Sequence, residues 1–333
     1  MGNAYAKKQG AYPLESQASG ERVRQTKQTA RTRLRKGLRS DSLVGYLFIA
    51  PAIVGFLIFV VYPLIDSAYL SLTNWNGLTD PVFIGFKNFI DLFTKDPSFF
   101  PSLRATAYFA LLSVPGSLIL GLLLALLLNR SLPGVRIFRT LIYIPVVLPA
   151  IATITLWKFI YDPRVGLANL ILQALHLPTS LWLGSATMAM PALVIVTLWG
   201  VGSTMIIFLA GLQAVPTEIY EAAKIDGAGR FVTFTRMTLP MISPILFLQV
   251  ILQITVALQN FNLPKIMTNG GPGFATDVLM LSIYSHGFGN LGTFPQLGYA
   301  TAQVWVLFLI ILLITIFTFR FSSFWVYSGN TVE

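Results

Sequence analysis

Charge-free apolar stretches alternate with polar segments along this chain. They cover residues 43–65, 107–128, 141–157, 188–212, 241–263 and 297–319. Each is close to the roughly 20 residues that a helix needs to cross a bilayer core. The third is short by strict charge count. Lys158 can snorkel from its end, so the span is taken as 139–160. Pro145 and Pro149 predict a kink there, which neighbouring helices in a bundle tolerate. The pattern predicts an all-α membrane protein: a six-transmembrane-helix bundle over 42–325, preceded by a polar tail, residues 1–41.

The polar segments carry their own grammar. Residues 213–240 form the longest polar interruption between spans in the second half of the chain. Pro216 suits a first helical turn, Glu218 and Glu221 favour the positive N-terminal end, and Gly227 follows as a C-cap, so a helix is expected. Residues 167–177 are apolar but too short to span, and read as an amphipathic helix at the membrane interface. In the 66–106 loop, Asn74-Trp75-Asn76-Gly77 signals a turn and residues 86–93 a short amphipathic helix. A second turn cluster runs from Thr268 to Gly273.

Composition sharpens this picture. Of the 333 residues, 55% are hydrophobic and 11% charged, and the mean hydropathy is +0.70. A soluble domain carries about 25% charged residues. The net charge of +10 would ordinarily raise nucleic acid as a partner. Its placement argues against that, because residues 1–40 hold ten of the 23 Lys and Arg against two acids, Glu15 and Glu21. Basic residues before a first span set topology or contact anionic lipid headgroups.

With the tail inside, 17 Lys and Arg fall on the inner side and six on the outer. Both termini and residues 213–240 are then cytoplasmic. Without the tail the ratio is 7 to 6, so orientation rests on the tail. The 23-residue run after it exceeds the 7–15 residues of a signal-peptide core, so a retained span is expected. There is no cysteine, which removes disulfides, thiol chemistry and Cys-based metal sites.

A search for catalytic chemistry finds little. No G-x-x-x-x-G-K-[ST] loop is present to cradle a phosphate. His176 and His286 have no ligand-spaced partners and are expected at the outer surface. The six spans hold no ionisable residue of the kind that proton-driven carriers place at mid-membrane. No catalytic residue, cofactor-binding residue or metal ligand is assigned.

What the spans do hold is uncharged and polar. Gln249, Gln253 and Asn260 lie 4 and 7 apart, on one helical face. An amide in hydrocarbon is costly unless hydrogen-bonded, so this face meets other helices or a wet pathway. Trp199, Gly200 and Ser203 in the fourth span suit close helix packing, or an indole that stacks on a sugar ring. Trp199, Gly200, Ser203, Gln253 and Asn260 are the candidate substrate pathway.

Residues 221–240 read Glu221-Ala222-Ala223, three residues, Gly227, nine residues, Met237, one residue, Leu239-Pro240. This resembles the EAA motif, E-A-A-x3-G-x9-I-x-L-P, of membrane subunits of bacterial ABC importers, with Met237 in place of the usual Ile. Residues 219–228, Thr268-Asn269-Gly270-Gly271-Pro272 and Ile84-Gly85-Phe86-Lys87-Asn88-Phe89 are similar to the carbohydrate permeases of the maltose and glycerol-3-phosphate type. The resemblance covers about residues 42–325 and leaves the tail out.

The resemblance implies an ABC importer permease bundle with a cytoplasmic EAA coupling loop, residues 213–240, that sits in a cleft of an ATPase. Glu221, Ala222, Ala223, Gly227, Leu239 and Pro240 are the motif positions. Ile219, Ala222 and Ala223 make a narrow apolar face at helical spacing, and Glu221 is placed to pair with a base of the partner. The implied partners are a second permease, two ATP-binding subunits that hold ATP and Mg, an extracytoplasmic solute-binding protein, the bilayer of a bacterial cytoplasmic membrane, and a carbohydrate. No nucleic acid is among them, and this chain is not itself an enzyme. The same machine with glycerol-3-phosphate, a glycerophosphodiester or a polyol as cargo is the nearest alternative. A secondary transporter without an ATPase, and a membrane scaffold whose tail recruits lipid or protein, are the others.

Overall fold

The computed structural model describes residues 45–130, 133–289 and 294–326. The basic tail lies outside the described residues. Two compact units are present, Met1–Asp66 and Ser67–Glu333. In the first, residues 45–66 are helical and none is buried. They belong to the apolar helix α1, Gly45–Leu70.

In the second unit, β1 (Thr73–Asn74) pairs antiparallel with β2 (Val82–Phe83) around the expected turn. There Asn76 Oδ1 accepts from the amides of Leu78 and Thr79, 2.9 and 3.0 Å away. This small sheet is an addition to the all-helical expectation. The remaining elements are α2 (Lys87–Thr94), α3 (Phe99–Leu128), α4 (Val135–Val147), α5 (Ala150–Ile160) and α6 (Leu167–Ala174). Then come α7 (Ala189–Trp199), α8 (Gly202–Gln213), α9 (Thr217–Ile225), α10 (Leu239–Leu258), α11 (Asn262–Met267), α12 (Leu279–Phe288) and α13 (Leu297–Ser322).

Among the described residues, four stretches are each long and apolar enough to cross a membrane as one helix: α1, α3, Arg230–Met267 and α13. Two helix pairs pass the same test only together, each bent at a short break. α7 and α8 bend by 47°, and α4 and α5 by 99°. The second break is far sharper than a kink, and both prolines cause it. Pro145 removes a hydrogen bond from the last turn of α4. Pro149 forces Leu148 into extended backbone, φ −70° and ψ 144°.

The core is organised on α3. Ala105, Phe109, Ser113, Ser117, Gly121 and Ala125 recur every four residues and all are buried. The small members let α8 come close: a Cβ on Gly121 would lie 2.8 Å from Thr204 Cγ2. Gly202 admits α4 in the same way, since a Cβ there would stand 2.5 Å from the Ile142 carbonyl oxygen. Close approach of this kind replaces the hydrophobic effect as the packing force between helices in lipid.

Candidate functional site

Two places in this bundle hold candidate site residues, the loop between α8 and α10 and a cleft at the α4–α5 break.

The loop is ordered as its sequence requires. α9 begins after Pro216 and ends on a Schellman motif: Gly227 N–H donates to Lys224 O (3.2 Å) and Ala228 N–H to Ala223 O (2.9 Å). Gly227 holds φ +74°, a region that costs a side chain energy. A turn at Arg230–Thr233 and a π-helical turn at Phe234–Thr238 lead into α10, which Leu239 and Pro240 open. Thr238 Oγ1 lies 3.3 Å from the Tyr220 hydroxyl and ties the two ends of the loop together. Glu221 and Ala222 are exposed, whereas Ala223 is 1% exposed. Ile219 and Tyr220 pack on the cluster of Leu128, Leu212 and Val215. The expected apolar face is therefore divided. Ile219 and Ala223 point into the chain's own bundle, and Ala222 faces out beside Glu221. Ile225, 86% exposed, and Phe231, 79% exposed, extend that outward surface.

The cleft has a volume of about 340 Å³. Its walls come from α3, the α4–α5 break, α7, α10 and the turn after α10. None of its lining residues is charged. Gln253 and Asn260 line one side, and Ser113, Thr153 and Thr197 contribute hydroxyls from the others. Gln253 Nε2 donates to Thr204 Oγ1 at 2.7 Å. Ser113 Oγ and Thr153 Oγ1 are buried without a hydrogen-bond partner among the described residues. One turn inward on α10, Gln249 Nε2 is in the same condition. At the break, the first amides of α5 have no intrahelical acceptor. Thr153 N–H is bonded, to Pro149 O at 3.1 Å. Irregular backbone at membrane depth is tolerated where it lines a cavity.

At the far end of the bundle from α9, an open basin of about 970 Å³ lies between α2, the Asn269–Asp277 segment, α12 and α13. Asp96 Oδ2 accepts from the Tyr299 hydroxyl at 2.6 Å, and Asp277 Oδ2 accepts from Ser102 at 2.8 Å. His286 Nε2 stands 3.9 Å from Asp96 Oδ2. Burial acts to raise the Asp96 carboxyl, but bonds from Ser98 and Tyr299 outweigh it and hold it below the usual carboxylate value. Burial pushes Asp277 upward. His286 is thus half-buried in a network, a correction to its expected place on the surface. No His, Asp and Glu cluster that could hold a metal occurs among the described residues.

The family model described as "Binding-protein-dependent transport system inner membrane component" matches residues 117–326, more than half of the chain. "Probable ABC transporter permease protein YesP" of Bacillus subtilis (strain 168) is 37% identical over 300 residues, covering 90% of this chain and 96% of its own length. "Trehalose/maltose transport system permease protein MalF" of Thermococcus litoralis is 34% identical over 286 residues, covering 85% of this chain and 95% of its own length. A crystal structure of a bacterial ABC transporter that imports the acidic polysaccharide alginate is similar with a TM-score of 0.74 and 26% identity. It covers 87% of this chain and 98% of that one.

The chain belongs to this family of permeases. It is an integral membrane component of an ABC importer and not a catalytic subunit.

The permease brings the sequence-derived candidates together only in part. Gln253 and Asn260 share the cleft. Trp199, Gly200 and Ser203 do not line it. Trp199 packs edge-on against Trp157, with centroids 5.7 Å apart. Gly200 caps α7 at the 47° bend, and Ser203 is exposed. Ser113 and Thr153 were not legible as site residues, because Ser and Thr are ordinary in spans. The available signal was the pair of prolines four residues apart, which marks a break and hence a cavity.

Proposed function

We propose that this permease translocates a carbohydrate, a sugar or oligosaccharide, across a bacterial cytoplasmic membrane, and that the cargo passes the cleft at the α4–α5 break. The observation that carries this is the pair of buried, unpartnered hydroxyls of Ser113 and Thr153, facing Gln253 and Asn260 in a cleft without charge. Unpaired donors in a membrane cost about 1–3 kcal/mol each, and sugar hydroxyls or water satisfy them. The names of relatives point the same way, trehalose and maltose in one and starch degradation products in another. Glycerol-3-phosphate and related phosphates fit less well, because the cleft offers no cation.

The six spans count each broken pair as one crossing, with both termini and the α8–α10 loop cytoplasmic. The assembly pairs this chain with a second permease, two ATP-binding subunits and an extracytoplasmic solute-binding protein. A solved relative is in complex with an alginate pentasaccharide-bound periplasmic protein. ATP and Mg belong to the ATP-binding subunits. Glu221, Ala222 and Ile225 meet the ATPase directly. Ala223, Gly227, Leu239 and Pro240 hold the loop in shape. Closure of the ATPase dimer on nucleotide moves α9, and α10 transmits the motion to the cleft. Such a switch requires a contact energy that differs between the two states.

Glu221→Lys tests the reading. The variant is expected to insert normally, to lose co-purification with the ATPase or coupling to it, and to abolish uptake. Normal uptake by this variant in cells lacking the ATPase would establish a secondary transporter instead.

A further inference from the structure

We propose that α6 is a lipid anchor, with its leucine face seated in the acyl–headgroup boundary of the bilayer at the end of the bundle opposite α9. Leu167, Leu170, Ile171, Leu175 and Leu177 are each at least half exposed, and the first four recur at helical spacing. A water-facing loop would show the reverse pattern.

The polar side of α6 faces the protein instead. Asn169, 3% exposed, donates from Nδ2 to the carbonyls of Pro163 and Ser180 at 3.0 and 2.9 Å. Its Oδ1 accepts from the Ser180 amide at 3.1 Å and from the Trp182 indole at 2.8 Å. These bonds fix which face of α6 points away from the bundle. The exposed leucines are therefore a built surface.

Two observations select lipid as the occupant. From Val165 through Thr217 the chain has no Asp, Glu, Lys or Arg, so the patch offers no charge for a protein partner to pair. Interfaces between proteins carry a polar rim. Second, the patch continues the apolar surface of α5, where Ile151, Leu156 and Phe159 are 65%, 51% and 70% exposed. An amphipathic helix in such a setting sits about 5–10 Å into the boundary.

The absence of cysteine makes the test clean. Leu167→Cys, Leu170→Cys and Gln173→Cys would each be labelled with an environment-sensitive fluorophore. The full chain would then be placed in nanodiscs of phosphatidylethanolamine and phosphatidylglycerol. At Leu167 and Leu170, 5-doxyl lipid is expected to quench about threefold more strongly than iodide, with the order reversed at Gln173, as for a helix lying in the interface. Iodide quenching at both leucine positions as strong as at Gln173 would overturn the proposal in favour of water. Protection from both quenchers would overturn it in favour of a protein cover.

Discussion

Asn260 and Ser113 separate a translocation role from a packing role most sharply. Ser113 Oγ has no hydrogen-bond partner among the described residues, so Ser113→Ala removes an unsatisfied group and is expected to leave thermal stability unchanged or raised by about 1 kcal/mol. Uptake should nevertheless fall. Asn260→Leu should likewise impair uptake while ATPase binding persists. Transport assays beside co-purification and melting curves read all three quantities. Unchanged uptake in both variants would assign the cleft to packing alone. At this scale the sequence singled out Gln253 and Asn260, because an amide in a span needs an explanation, and both line the cleft. It said nothing of Ser113, whose burial and lack of a partner depend on what α4, α5 and α7 place around it.

The elements meet at positions where a single atom decides the distance. A Cβ on Gly202 would stand 2.5 Å from the Ile142 carbonyl, a backbone atom that cannot rotate away. Gly202→Ala should force α4 and α8 apart and cost about 1–3 kcal/mol, read as a lower melting temperature in detergent. The network at the end of the bundle away from α9 is the second junction, joining α3, α12 and α13 through Asp96, Asp277 and Tyr299. Asp277 is raised by burial. Its contribution is therefore greatest below the unfolded value of about 3.9 and is lost as pH rises through the raised value. Asp277→Asn should accordingly raise stability at pH 7, with Ser102 still able to donate. Asp96 is lowered, so its contribution is present above about pH 3.9 and lost as pH falls through its folded value. Asp96→Asn should lower the melting temperature at pH 7, and the difference from the native chain should shrink as pH falls below about 3.9. Opposite shifts for the two variants at pH 7 check the assignment.

For the whole molecule, the positive-inside rule makes charge the expected determinant of how the chain lies in the membrane. The tail holds ten of the 23 Lys and Arg, and the remaining loops divide 7 to 6. Replacing the ten with Gln should yield a mixture of orientations, measured with a C-terminal reporter active on one side only. A single retained orientation would show that the loops suffice.

Hydropathy and charge are local properties, so the sequence alone determined the membrane class, the apolar runs and the ordered loop around Glu221 and Gly227. The pattern from Glu221 to Pro240 resembles the EAA motif, and that resemblance points to the ATPase proposed as partner. Local sequence could not reveal how elements distant in the chain share space. Only the tertiary structure decided that Pro145 and Pro149 open a 99° break with Ser113 behind it. It also turned Ala223 inward and left Ile225 outside, because α9 rests on the bundle by one face and a helix has more than one apolar face to offer. It drew His286 into a network with Asp96, 190 positions away in the sequence. Burial and partnership are sums over neighbours, and those neighbours exist only once the helices have packed.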